Sequence, residues 1–171
     1  MKKTIVTGAV LGALTMGFMG SAMAQEYTIG ISNTVQGNGW REEMVCAMKA
    51  EALASGKVKS LNIAHRNTDA AGQIEDINNL IQAGVDAIVV NPSNPDGIKS
   101  AVKAATDKGI VVVAVDQGVN EESAYILSNN QEQYAYLGAK WLFEQIGGDG
   151  SVIYMRGAAG ASRLHCHRNS V

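Results

Sequence analysis

Strand and helix patterns alternate along most of this chain, which predicts an α/β fold: a parallel sheet with helices on both faces. Residues 86–91 and 110–115 are continuous apolar runs, as strands covered on both sides require. The segments between strands carry apolar residues at helical spacing, and Gly, Asn and Asp gather where strands end. Such β-α-β repetition builds a parallel sheet through right-handed crossovers.

Residues 27–32 read as a short strand rich in β-formers. Residues 42–54 follow as a helix, with Met44, Val45, Met48 and Ala52 on one side. The next strand is 58–64. The helix over 72–83 aligns Ile74, Ile77, Leu80 and Ile81 on one stripe, and Asp69 is placed to cap it. After the strand at 86–91, Pro95-Asp96 opens a helix carrying Ile98, Ala101, Val102 and Ala105, with Asn94 or Asp96 as its cap. Gly109 closes that helix in the role glycine fills best. Strands at 110–115 and 124–127 follow. A helix over 132–146 aligns Tyr134, Leu137, Trp141 and Leu142, and a last strand covers 151–155.

The first 24 residues read as a secretory signal peptide. Lys2 and Lys3 precede a short apolar run, and Ala22 and Ala24 occupy the −3 and −1 positions, so cleavage is expected after Ala24. The run is too short and too rich in glycine for a membrane span. Export to a bacterial periplasm follows. Its removal takes two of the 14 basic residues and none of the 16 acidic ones, moving the net charge from −2 to −4. That balance offers no basic field for nucleic acid. Cys46, inside a helix, reads as a small buried hydrophobe, and pairing with Cys166 is not expected.

In open parallel sheets the ligand lies beyond the carboxyl ends of the strands. The residues there are Asn33, Gln36, Asn38, Trp40 and Arg41 after the first strand, Asn67 and Asp69 after the second, Asn91, Ser93 and Asn94 after the third, and Asp116 and Gln117 after the fourth. Planar amides, a carboxylate and a guanidinium pair with vicinal hydroxyls, which both donate and accept. An indole stacks on the apolar face of a sugar ring. Asp116 is the leading polar candidate and Trp40 the stacking platform. His65 reads as a solvated loop residue. No nucleophile–base pair or Gly-x-Ser-x-Gly elbow stands out, so no catalysis and no cofactor are expected. Adjacent ligands in His165-Cys166-His167 are poor geometry for a metal.

Five segments in order carry a resemblance. They are 27–33 with Gly37-Asn38-Gly39-Trp40-Arg41-Glu42-Glu43-Met44, then 84–92, 113–117, 126–130 and 155–162. Together they resemble sugar-type periplasmic solute-binding proteins of ABC importers, the ribose- and galactofuranose-binding-like group with the type I periplasmic binding protein fold. The resemblance implies two Rossmann-like lobes closing over a monosaccharide, with Trp40, Arg41, Asp116 and Gln117 touching the sugar, and an inner-membrane ABC permease or a chemoreceptor as partner. Gln117 departs from the Arg that many relatives have there. The expected organisation is a signal peptide at 1–24, a nearly complete N-terminal lobe at 25–128, the start of a second lobe at 129–162, and an out-of-frame tail at 163–171. A chain so truncated is expected to bind sugar weakly or not at all.

Two rivals belong to other classes. A sensor's binding protein would use the same lobe. A nucleotide-binding enzyme would need a glycine or alanine where Gly37-x-Gly39-x-x-Glu42 has a carboxylate, which repels pyrophosphate.

Overall fold

The computed structural model describes residues 26–155. The expected signal peptide, its cleavage site and the segment beyond Met155 lie outside the described residues. Five strands form one parallel sheet in the order β2-β1-β3-β4-β5. They are β1 (Tyr27–Asn33), β2 (Val58–His65), β3 (Ala87–Asn91), β4 (Val111–Val115) and β5 (Tyr125–Leu127). The helices are α1 (Gly39–Ser55), α2 (Ala70–Gln82), α3 (Lys99–Thr106) and α4 (Gln131–Gln145).

The two-residue strand period sorts side chains onto two faces. Gly30 of β1 lies against Leu80 of α2, and a Cβ there would come within 3.0 Å of Leu80 Cδ1. Ser32 meets Gln73 of α2, whereas Asn33 meets Arg41 of α1. The α1 helix therefore covers one face, and α2 and α3 cover the other side by side. On that second face Ile77, Leu80, Ile88, Val90, Val102 and Val112 form a continuous core, with Ile98, Ala101 and Ala105 of the α3 region packed in. The apolar stripes read from the sequence for α1, α2 and α3 are the ones turned to the sheet, whereas the stripe read for α4 is exposed. On α1, Val45 is buried and Met44, Met48 and Ala52 are half-buried.

Several expectations need correction. Cys46 is exposed, because it falls one position beyond Val45 on α1 and turns away from the sheet. Residues 151–155 form no strand, since no neighbouring strand pairs with them among the described residues. The α1 helix begins at Gly39, earlier than the apolar pattern suggests, because Asn38 caps it by accepting from the Arg41 N–H at 3.2 Å. Asp69 caps α2 as expected, accepting from the Gly72 N–H at 3.0 Å. Neither Asn94 nor Asp96 caps α3. The Asn94 side chain instead accepts from the N–H groups of Asp96 and Gly97, shaping a turn that delays the helix to Lys99. Gly109 has φ +79 and donates its N–H to Thr106, two residues beyond the Asp107 cap.

Helix α4 buries no residue, and Trp141, Leu137 and Tyr134 are exposed. No helix among the described residues is long and apolar enough to cross a membrane.

Ile88 is fully buried between β1 and the α2–α3 layer. Ile88→Ala is expected to lower the unfolding free energy by about 2–5 kcal/mol, measured by urea denaturation. A loss under about 1 kcal/mol would contradict this packing.

Candidate functional site

The strand order reverses between β1 and β3: the chain passes from β1 to β2 on one side, then returns to β3 on the other. Such a switch opens a crevice at the carboxyl ends of the two strands. Asn33 and Asn91 are the last residues of those strands and are register partners. Both are buried and both project toward the α1 face.

Every hydrogen of the Asn33 amide has a partner. Nδ2 donates to the Val35 carbonyl at 2.7 Å and lies 2.8 Å from His65 Nδ1, while Oδ1 accepts from Arg41 Nη1 at 2.8 Å. Asn33 thus holds Arg41 rather than presenting free donors. Arg41 is half-buried, with its guanidinium 5.8 Å from the centroid of the Trp40 ring, in cation–π range. Partial burial pulls the Arg41 guanidinium down from its ordinary value, and the Asp116 carboxylate pushes it back up. The Asp116 carboxylate thus acts on Arg41 through space, with no direct ion pair between them among the described residues. Trp40 leaves 54% of its surface exposed at the mouth.

Asn91 is 1% exposed, yet its Oδ1 has no hydrogen-bond partner among the described residues, nor has the buried Ser93 Oγ. The Asn91 Nδ2 has only a long contact, 3.6 Å, to Met44 Sδ. Buried acceptors without partners cost roughly 1–3 kcal/mol each, and a ligand hydroxyl is one group that can relieve this. Gln73, fully buried on α2, braces the floor beneath them. Its Nε2 donates to Ser32 Oγ and the Asn91 carbonyl, and its Oε1 accepts from the Ser93 N–H.

Asp116 sits just beyond β4 with φ +67, the only non-glycine positive φ among the described residues. The Gln117 N–H donates to the Val115 carbonyl at 2.8 Å, closing a three-residue γ-turn around Asp116. The positive-φ form of this turn is strained. The Asp116 N–H donates to Leu127, and Ser128 Oγ donates back to the Asp116 carbonyl, so β5 clamps the turn in place. Among the described residues the Asp116 carboxylate makes no hydrogen bond of its own, although the residue is half-buried.

The structure therefore groups Asn33, Trp40, Arg41 and Asn91 at the β1–β3 switch, with Asp116 and Gln117 beside them at the end of β4. Asn38 stands apart in function, since its side-chain oxygen caps α1. His65 is not a solvated loop residue. It ends β2 with its side chain 12% exposed, between Asn33 and Glu42. Glu42 accepts from the Gly37 N–H and pairs with His65 Nε2 at 2.9 Å. These contacts, the backbone one foremost, hold its carboxyl below the usual range. Gln73 and His65 were absent from the candidates read from the sequence. Gln73 had one signal: it lies on the buried stripe of α2, four residues before Ile77. His65 had a weaker one, as the final residue of a strand.

Glycine relieves the left-handed strain that Asp116 bears. Asp116→Gly is accordingly expected to raise stability by up to about 1 kcal/mol, read from denaturant midpoints. A clear loss of stability would mean the carboxylate itself supports the fold.

Comparison with known proteins now bears on this geometry. A family profile described as "Periplasmic binding protein domain" matches residues 29–166. The ribose import binding protein of Bacillus subtilis is 27% identical over 83% of this chain and 46% of its own length. The galactofuranose-binding protein of Escherichia coli is 28% identical over 94% of this chain and 50% of its own length. Among solved structures, an ABC transporter solute-binding protein from Thermobispora bispora superposes with a TM-score of 0.73 at 32% identity, covering 80% of this chain and 44% of that one. The chain thus spans about half the length of the curated relatives it matches. Its described residues form one Rossmann-like lobe of the type I fold, and the chain belongs to the periplasmic binding protein family.

Proposed function

We propose that the β1–β3–β4 cleft binds a monosaccharide, and that the protein carrying it serves as the periplasmic solute-binding component of an ABC importer. The observation that carries the sugar site is Asp116. Its carboxylate has no hydrogen-bond partner among the described residues, and a strained turn holds it where it acts on the Arg41 guanidinium, which itself lies over the exposed Trp40 ring. Strain of this kind persists where surrounding structure enforces it, often at a ligand site.

The roles follow from the chemistry. Trp40 stacks on the apolar face of the ring. Asp116 accepts from two hydroxyls, Arg41 donates to others, and Asn91 Oδ1 accepts one more. Gln117 extends the polar rim, Asn33 holds Arg41, and Asn38 holds the start of α1. The reading needs no bond-making step, so the protein is a binder rather than an enzyme. It takes residues 1–24 as the export signal, cleaved after Ala24, and an inner-membrane permease as the receiving partner.

Built pockets bury about 70–90% of a small ligand. The described residues supply one wall, with Trp40 open to solvent, so sugar binding by this chain is expected to be weak. The test uses Trp141→Phe, leaving Trp40 as the sole tryptophan. Titration with D-ribose, D-xylose or D-galactose is expected to give a weak, saturable change in Trp40 fluorescence. Asp116→Asn keeps the turn, because asparagine tolerates positive φ, and is expected to hold stability within about 0.5 kcal/mol. It should weaken binding about tenfold or more, as loss of charge-assisted hydrogen bonds implies. Absence of a saturable response to every sugar, or an unchanged affinity in Asp116→Asn, would overturn the reading.

A further inference from the structure

The Asn33 amide carries information about a neighbour that no comparison assigns. The Val35 carbonyl can only accept, so the Asn33 atom 2.7 Å from it is the nitrogen. The Arg41 guanidinium can only donate, so the Asn33 atom 2.8 Å from Nη1 is the oxygen. Two independent partners thus orient the amide, and the choice between its oxygen and nitrogen is not arbitrary. The second Asn33 N–H then points at His65 Nδ1, 2.8 Å away. That ring nitrogen must accept, which leaves the imidazole proton on Nε2. Nε2 faces the Glu42 carboxylate at 2.9 Å, an acceptor suited to it.

We propose that His65 is a positioning residue for the cleft: in its Nε2–H form, anchored by Glu42, it accepts from Asn33 and thereby locks the Asn33 carbonyl oxygen onto Arg41. The inference rests on the sugar-binding reading for its functional meaning, and on this hydrogen-bond chain for its structure. The chain runs from Glu42 through His65 and Asn33 to Arg41, across α1, β2 and β1, and ends at the group that meets the ligand.

A second proton on Nδ1 would set two donors against each other. Asn33 could then answer His65 only by turning its amide, which would release both Arg41 and Val35. The charged groups facing this chain come from α1. Glu42 faces the ring Nε2, Arg41 lies beyond Asn33, and Lys49 acts on Glu42. From β1 the neutral Asn33 faces the ring. The next residue on the β2 side, Arg66, is directed to Asp76. A doubly protonated His65 is therefore incompatible with the Asn33–Arg41 contact, and sugar affinity should fall in acid.

The experiment begins with the unmodified chain. Long-range 1H–15N correlation spectra of 15N-labelled protein distinguish the two histidine tautomers, and His65 is expected as the Nε2–H form. The Nδ1–H form would overturn the proposal without any variant. His65→Gln keeps an acceptor toward Asn33 and a donor toward Glu42, whereas His65→Leu has neither. In His65→Leu the Asn33 side-chain hydrogens are expected to exchange with solvent several-fold faster, and D-ribose binding to weaken about three- to tenfold, the value of one hydrogen bond. His65→Gln is expected to preserve both and to lose the acid-side fall in affinity. Unchanged Asn33 exchange in a folded His65→Leu, or a His65→Gln as impaired as His65→Leu, would overturn it. Should His65→Leu not fold, the wild-type tautomer and the glutamine variant decide. If D-ribose, D-xylose and D-galactose all fail to bind the wild type, the sugar reading falls, while the tautomer and exchange data still judge the His65 lock.

Discussion

Parallel pairing of β1 with β3, while β2 lies on the other edge of β1, is the constraint on which the site depends. Right-handed crossovers place α1 on one face and α2 and α3 on the other. Because the helices leave in opposite directions, the carboxyl ends of β1 and β3 are left uncovered between them. Asn33 and Asn91 stand side by side there by register alone. A one-residue slip of either strand would turn its asparagine to the α2 face, into the apolar layer of Leu80 and Ile88. The dense packing of that layer protects the register.

Around this opening the protein uses buried polar groups in two distinct ways. Gln73 satisfies Ser32, Asn91 and Ser93 from below, and Asn33 satisfies Arg41, His65 and Val35 from the side. These networks are filled, and filled networks in a low-dielectric interior are rigid. Asn91 Oδ1, Ser93 Oγ and the Asp116 carboxylate are different, since each lacks a hydrogen-bond partner among the described residues. A rigid frame carrying the half-buried Asp116 carboxylate suits a polyhydroxylated ligand, whereas a hydroxyl reaches Asn91 Oδ1 and Ser93 Oγ only if the atoms covering them shift.

The α1 face is less complete. Val45 and Ile31 are buried there, but Val111 on β4 and Tyr125 and Leu127 on β5 are exposed. Helix α4 follows with all of its large apolar residues in solvent. The core that stabilises the described lobe is therefore concentrated in the α2–α3 layer. The cleft forms on the thinner side, where α1 alone covers the sheet, which leaves Trp40 and Arg41 accessible at its mouth.

Fold class, strand order of appearance and the stripes of α1, α2 and α3 were readable from the sequence, because apolar periodicity records which face of a packed element is covered; the same pattern on α4 faces solvent. Ile74, Ile77, Leu80 and Ile81 identify the inner face of α2 before any coordinate is known. Asp116 and Trp40 were readable as candidates for a related reason: they follow a strand and a glycine-rich turn. Three things required the tertiary structure. The exposure of Cys46 depends on one helical step beside Val45, finer than a periodic pattern resolves. Residues 151–155 have strand-like composition, but a strand exists only when a neighbour accepts and donates its backbone hydrogen bonds. The partnership of Glu42, His65, Asn33 and Arg41 joins residues from three elements, and no spacing within one element encodes it. Sequence alone determined which face α1, α2 and α3 turn to the sheet, because burial repeats with the helical period; the meeting of strand ends decided which polar groups hold one another and which are left without a hydrogen bond among the described residues.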